Sequence, residues 1–364
     1  MQLQVLYKKI RDGHRLTAEE GLFVLHNAEL LDLGDLANQI RFRKNPGSRV
    51  TFVIDTNPNY SNVCNIDCIF CAFYRHEGEQ GVYTYTVDEM IQKFKTAAAD
   101  GVTTILLQGG VHPHLPLDYY IEMVERTVKE VPGVTPHFYS TSEIIGMAAV
   151  SGLELREVLQ RLWDAGQRTL PGGGAEILSD RVKKKISHLK GTSADWLNVM
   201  REAHKIGYKT TATMMYGHLE TDEDIVEHLE SIRRLQDEYH GFTAFVPWSF
   251  KPGNTPLEKI IPHYATPVRY LQMIAFARIY LDNFDHIQAS WFSEGKKTGQ
   301  IALHFGADDF GGTLIEENVH AAANFVNKTN VGEVIQLIRM SGFIPSQRTT
   351  LYEILKMFDT AEAA

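Results

Sequence analysis

Every cysteine of the chain lies in one eight-residue window: Cys64, Cys68 and Cys71, separated by three residues and then by two. None is left over for another purpose. Three thiolates at this spacing can converge on one inorganic centre, and iron–sulfur clusters are the usual cargo of clustered cysteines in a reducing compartment. Three sulfur ligands on a four-iron cube leave one iron open, and an open iron can chelate a small molecule through an amine and a carboxylate. Two other uses of the window are a zinc site completed by the nearby His76 and a set of buried structural thiols.

The rest of the chain has to supply a scaffold for that window. Its 364 residues, 44% hydrophobic and 22% charged, describe a soluble globular protein long enough for a sizeable core. A net charge of −9 speaks against a dedicated nucleic-acid surface. With no apolar leader and no membrane-length apolar run, we expect a cytoplasmic protein without a membrane partner.

Residues 1–48 read as helical, with Thr17 and Glu20 spaced as a capping box. The period then changes. A β-branched and aromatic run from Val50 to Asp55 feeds directly into the cysteine window, and further strand-like runs follow near 103–107, 135–140, 167–170, 208–215, 243–246, 286–289 and 307–310. Helical stretches separate them, as at 117–131, 154–164, 196–205, 222–238 and 267–283. Eight apolar strands alternating with helices predict an α/β fold, a (β/α)8 TIM-type barrel over residues 49–330. The N-terminal helices would pack on it, and residues 331–364 would form C-terminal helices, with a packed helix at 349–358 and a frayed Ala-rich end.

In such a barrel the chemistry gathers where strands end. The second strand ends in Gln108, Gly109, Gly110, Val111 and His112, where two glycines allow close backbone approach. The third ends in Ser140, Thr141, Ser142 and Glu143, which suits either ligand polar groups or a helix N-cap. The fourth runs into Pro171, three glycines, Ala175 and Glu176; it is neither a Walker loop nor a dinucleotide fingerprint. The fifth ends in Met214, Met215, Tyr216, Gly217 and His218, and the sixth in Val246, Pro247 and Trp248. The last two lead to Gln288, Ala289, Ser290 and Trp291, and to Asp309, Phe310, Gly311, Gly312 and Thr313 with Glu317 beyond. Tryptophans, a phenylalanine and polar side chains at one barrel mouth suggest a substrate with an aromatic ring and a hydroxylated part.

The cysteine spacing, with Phe70 before the last cysteine, resembles the radical S-adenosylmethionine (SAM) superfamily. The strand-end motifs together resemble its menaquinone and deazaflavin branch from Arg49 to about Asn318. The resemblance implies a [4Fe–4S] cluster on Cys64, Cys68 and Cys71 and SAM as cofactor. Around SAM it implies Phe70, Gln108, Gly109, Gly110, Ser140, Ser142, Glu143, Glu176, Lys183 or its neighbour Arg181, and the backbone of Val246. At Lys183 many relatives would carry Arg, a departure from the pattern.

The implied reaction is a futalosine-pathway step of menaquinone biosynthesis. A 5′-deoxyadenosyl radical takes hydrogen from the ribose C4′ of dehypoxanthine futalosine, the carbon radical adds to the benzoate ring, and loss of an electron and a proton gives a spirocyclic product. For this substrate we expect aromatic walls from Trp248, Trp291 and Phe310, carboxylate and nearby contacts from Arg75 and Tyr74, ribose contacts from Asp309 and Glu317, and a base at His112 or His218. A low-potential flavodoxin or ferredoxin would be the electron donor. The alternatives are a sister synthase forming aminofutalosine or a deazaflavin, and a non-catalytic metal-binding protein.

Overall fold

Short apolar runs closed off by capping residues build the frame, seen here in a computed structural model that describes residues 1–261 and 263–358. The strands are β1 (Arg49–Val53), β2 (Asp55–Thr56), β3 (Thr104–Leu107), β4 (Thr135–Phe138), β5 (Thr169–Leu170), β6 (Lys209–Tyr216), β7 (Phe242–Ser249), β8 (His286–Ile287), β9 (Asp309–Gly312), β10 (Ile344–Arg348) and β11 (Ile354–Met357). Strands β2 to β8 pair in chain order, all parallel, so each crossover must carry a helix over the outside. Those helices begin sharply because Thr86, Ser140, Thr192 and Thr221 each form a capping box with an acidic residue three positions on.

The ring closes through the first strand. β2 continues β1 across Ile54, β9 runs parallel to β1, and Gln288 bridges Asp309 to join β8 to β9. The eight expected strands are therefore present in the expected order, as a parallel barrel. The three N-terminal helices, Leu3–Arg11, Ala18–Asn27 and Leu30–Lys44, pack on its outside, the third along Pro267–Tyr280. The capping box at Thr17 is formed: Glu20 N donates to Thr17 Oγ1 at 3.2 Å and Thr17 N to Glu20 Oε2 at 2.8 Å. Among the described residues no helix is long and apolar enough to cross a membrane.

The C-terminal region departs from expectation. Val331–Met340 is the expected helix, but 344–357 form the hairpin β10–β11, so no helix covers 349–358. The cause is an open edge. β2 meets β3 only from Asp55 onward, which leaves the start of β1 unpaired on that side, and β10 fills it in parallel register from Arg49↔Ile344 to Phe52↔Gln347. Satisfying those backbone groups outweighs the helical reading of the sequence. The hairpin turn inserts Arg348, Thr350 and Tyr352 into the bottom of the barrel: Thr350 Oγ1 lies 2.7 Å from Thr104 Oγ1, and the Tyr352 ring stacks on His286 at 3.8 Å. The C-terminal segment is thus a plug. The Ala-rich end lies outside the described residues.

Candidate active site

The cysteine window leaves β2 as a loop tied down on three sides. Cys64 N donates to Arg75 O (3.0 Å), Asn65 N to Val111 O (3.2 Å) and Ile69 N to Ile186 O (3.0 Å). Gly110 makes the closest approach: a Cβ there would stand 2.0 Å from Val63 O, so only glycine lets the second strand's turn lie against the loop. Arg75 does not reach out to a substrate. Its guanidinium folds back on the carbonyls of Ala72 (3.0 Å) and Tyr74 (2.7 Å) and braces the loop, while the Tyr74 ring packs on His76.

The three thiols are free, Cys68 buried and the other two half-buried. Burial pushes the Cys68 thiol up to about 12 and raises Cys64, while the buried Lys190 ammonium pulls both down. His76 Nε2 faces Asp67 Oδ1 at 3.0 Å, which occupies the side chain a zinc site would need. Among the described residues no three His, Cys, Asp or Glu side chains are arranged to hold a single metal ion. Sulfur donors alone, beside a buried cation, fit an iron–sulfur cluster.

Behind the glycine turn sits Glu143. Its Oε1 accepts from Tyr60 OH (2.8 Å) and Gly109 N (3.1 Å), and its Oε2 from Ser140 N (2.6 Å) and Ser140 Oγ (2.7 Å). Ser140 is thus a helix N-cap and Ser142 lies buried in the first turn of that helix, so both serve the scaffold. Burial lifts the Glu143 carboxyl to about 7 against these four donors. Glu143 holds the Gly109 amide in place.

The glycine loop after β5 carries Glu176, which pairs with Lys190. Lys190 lies 5.2 Å over the Phe70 ring, next to the cysteines, and Glu176 strengthens its hold on its proton. Sequence reasoning missed it, because it sits in the turn His188–Lys190 and at no strand end. Lys183 and Arg181 are spoken for: Lys183 Nζ faces the carbonyls of Gly174 (3.3 Å) and Ala175 (3.4 Å), and Arg181 pairs with Asp224. Burial lowers Lys183 to about 8.

A cavity of about 250 Å³ runs down the barrel axis. Gln108, Glu176, Val246, Trp248 and Glu317, all singled out from sequence, line it together. Arg348, Thr350 and Tyr352 of the plug reach it from below, and His137 joins them. Glu317 spends its oxygens on the amides of Val319 (3.0 Å) and His320 (2.8 Å). A second, small cavity beside Cys71 shares Trp248 and His320 with the first and is lined by Phe70.

Five expected site residues lie elsewhere. Trp291 is fully buried in the wall, its Nε1 donating to Gly312 O at 3.0 Å and its ring parallel to that of Phe310, itself fully buried. Asp309 is bound by Arg348, Thr51 Oγ1 (2.6 Å) and Gly311 N (2.9 Å). His218 Nδ1 accepts from Leu219 N (2.7 Å) and its Nε2 faces Met215 O (3.1 Å), so neither nitrogen is free to act as a base. His112 Nδ1 accepts from His114 N (3.1 Å), away from both cavities. In their place the structure brings forward Asn57, Gln288, Phe292 and His320. The first two follow the inward face of strand ends; His320 lies beyond the last strand, where no motif marks it.

Residues 58–232 match the radical SAM superfamily and residues 239–361 the CofH/MqnC C-terminal region. Cyclic dehypoxanthine futalosine synthase of Halalkalibacterium halodurans is 39% identical over 100% of this chain and 98% of its own length. Aminodeoxyfutalosine synthase of Thermus thermophilus is 38% identical, over 98% of this chain and 96% of its own. A 5-amino-6-(D-ribitylamino)uracil–L-tyrosine 4-hydroxyphenyl transferase of Methanoculleus marisnigri is 39% identical, over 97% and 98%. Among solved structures, methylornithine synthase superposes with a TM-score of 0.74 over 94% of this chain and 97% of its own, at 20% identity, a likeness of fold.

Proposed function

The chain belongs to the radical SAM superfamily, in the branch that carries the CofH/MqnC C-terminal region, and from that membership we propose that it cyclises dehypoxanthine futalosine to cyclic dehypoxanthine futalosine in the futalosine route to menaquinone. A [4Fe–4S] cluster on Cys64, Cys68 and Cys71 would supply, with SAM, the 5′-deoxyadenosyl radical. Lys190 offsets the negative charge of the three thiolates and fixes the Glu176 carboxylate for a SAM hydroxyl or ammonium. Glu143 orients the Gly109 amide, and the backbone near Val246 borders the same space.

The observation that carries the substrate assignment is the mixed aromatic and amide lining of the cavity. Trp248, Phe292 and His320 make one wall aromatic, while Asn57, Gln108 and Gln288 line it with amides. A benzoate ring suits the first wall and ribose hydroxyls the second. At about 250 Å³ the space falls just below the usual range of ligand pockets, roughly 300–1,000 Å³. A single substrate closing on itself needs less room than the two partners of a hydroxyphenyl transfer, and either reaction must also seat SAM. Enclosure also keeps water and stray hydrogen donors from a carbon radical.

A flavodoxin or ferredoxin would deliver the electron, and free thiols on an oxygen-sensitive centre suit the cytoplasm. Joining tyrosine to a ribitylaminouracil is the second reading, because a relative of that name is also 39% identical. Anaerobic incubation of the reconstituted protein with SAM, a low-potential reductant and dehypoxanthine futalosine, followed by mass spectrometry, should give deoxyadenosine together with the cyclised product. Coupled product from tyrosine and the ribitylaminouracil alone would overturn the assignment.

A further inference from the structure

Four buried imidazoles of the barrel have a nitrogen committed to the protein. His137 Nδ1 lies 2.9 Å from Thr169 Oγ1, His204 Nε2 2.8 Å from Thr210 Oγ1, and His228 Nδ1 accepts from Leu178 N at 3.0 Å; His218 uses both nitrogens. The spare nitrogens of His204 and His228 are sealed from any open space. His320 differs. Among the described residues neither of its ring nitrogens makes a hydrogen bond, only its backbone amide does, and the half-buried ring borders both the axial cavity and the small one beside Cys71.

Three aromatic rings hold that imidazole in place: Trp248 at 5.5 Å, Phe292 at 5.4 Å and Phe325 at 6.1 Å between centroids. Its own backbone amide is anchored on Glu317. The nearest cation, Lys251, is held by Ser249 Oγ at 2.7 Å with Glu294 at 3.7 Å. Burial, aided by Lys251, pushes His320 down to about 4 and keeps it neutral, with a lone pair available. A neutral imidazole in the cavity wall with both ring nitrogens unpartnered is placed to take a proton from a ligand beside it.

We propose that His320 is the base that takes the aromatic proton when the new carbon–carbon bond is made. The inference rests on the cyclisation reading. A carbon radical that joins a ring carbon bearing hydrogen pairs its electron with one π electron, leaving an adduct with one unpaired electron and a tetrahedral C–H carbon. To restore the ring, that electron passes to an oxidised one-electron acceptor of the iron–sulfur or flavin class. The C–H electron pair then returns to the ring and the proton moves to the His320 lone pair. Once the electron has gone the carbon acid is strong, so even a weakly basic imidazole suffices.

The test uses His320→Gln and His320→Gly in the full chain. Calorimetry of the metal-free protein should find dehypoxanthine futalosine still bound by both variants, weakened by at most about tenfold for the missing ring. In the reconstituted enzyme, deoxyadenosine formation should persist while cyclised product per deoxyadenosine falls about 100-fold. Added imidazole should restore that ratio in His320→Gly. An unchanged ratio in either variant, or parallel loss of binding and product with no imidazole rescue, overturns the proposal and leaves His320 a wall. Wild type that makes no cyclised product removes the cyclisation reading, and this proposal falls with it.

Discussion

At the base of the barrel Asp309 gives its carboxylate to Arg348, Thr51 and Gly311, and nearby Asp308 is bound by Arg278, His286 and the Ile287 amide. At the rim His320 gives its ring nitrogens to nothing, and the cysteines are free. Both ends are rich in ionisable groups, the base fully buried and the rim partly so, and burial does not by itself tell a structural network from a site. Saturation does. A buried charge whose every lone pair is used holds the fold together, whereas a buried donor or acceptor left open stands ready for a ligand.

The sharpest way to break this contrast is to open the base. Arg348→Met would leave Asp309 charged in the interior, and breaking a buried pair costs about 3–5 kcal/mol. Urea denaturation of the metal-free protein should read that loss, and the double variant Arg348→Met with Asp309→Asn should recover most of it. Little change in the single variant would mean that the plug does not close the barrel.

Glu143 blurs the contrast, since it lies at the rim yet has four donors. Its carboxyl rises from 4.5 to about 7 on folding, so the native state binds the proton more tightly than the unfolded chain. Stability is therefore highest below about pH 4.5 for this group and declines as pH rises toward 7, by up to about 3 kcal/mol. Glu143→Gln should flatten that slope in denaturation series from pH 5 to 8. If variant and wild type run parallel across the window, the four donors outweigh burial and the group belongs with the saturated networks.

Much of this was legible in the sequence. Alternation of apolar runs revealed eight strands because each must be buried on both faces, and the strand-end rule singled out Gln108, Glu176, Val246, Trp248 and Glu317, which line one cavity. The same rule also singled out Asp309, Phe310, Trp291 and His218, which lie outside the cavity lining with their polar atoms bonded to the protein, Asp309 and Trp291 to residues distant in sequence and His218 to Met215 and Leu219. Lys190, His320 and Arg348 escaped notice for the opposite reason. They come from a single turn, a four-residue helix and the strand β10, with no motif around them, and only the closed fold brings His320 and Arg348 to the cavity and Lys190 beside the cysteine loop.

Two tryptophans make the smallest and cleanest comparison. Trp248 lines the cavity, and Trp291 lies fully buried behind it, donating to Gly312 O. Trp248→Ala should weaken binding of dehypoxanthine futalosine about tenfold, near 1.4 kcal/mol, with the denaturation midpoint almost unmoved. Trp291→Phe keeps the ring but leaves the Gly312 carbonyl unpaired, a cost of about 1–2 kcal/mol in stability, with substrate affinity unchanged. If Trp291→Phe instead weakens binding and spares stability, the wall between core and cavity is drawn in the wrong place, and saturation no longer tells the two ends apart.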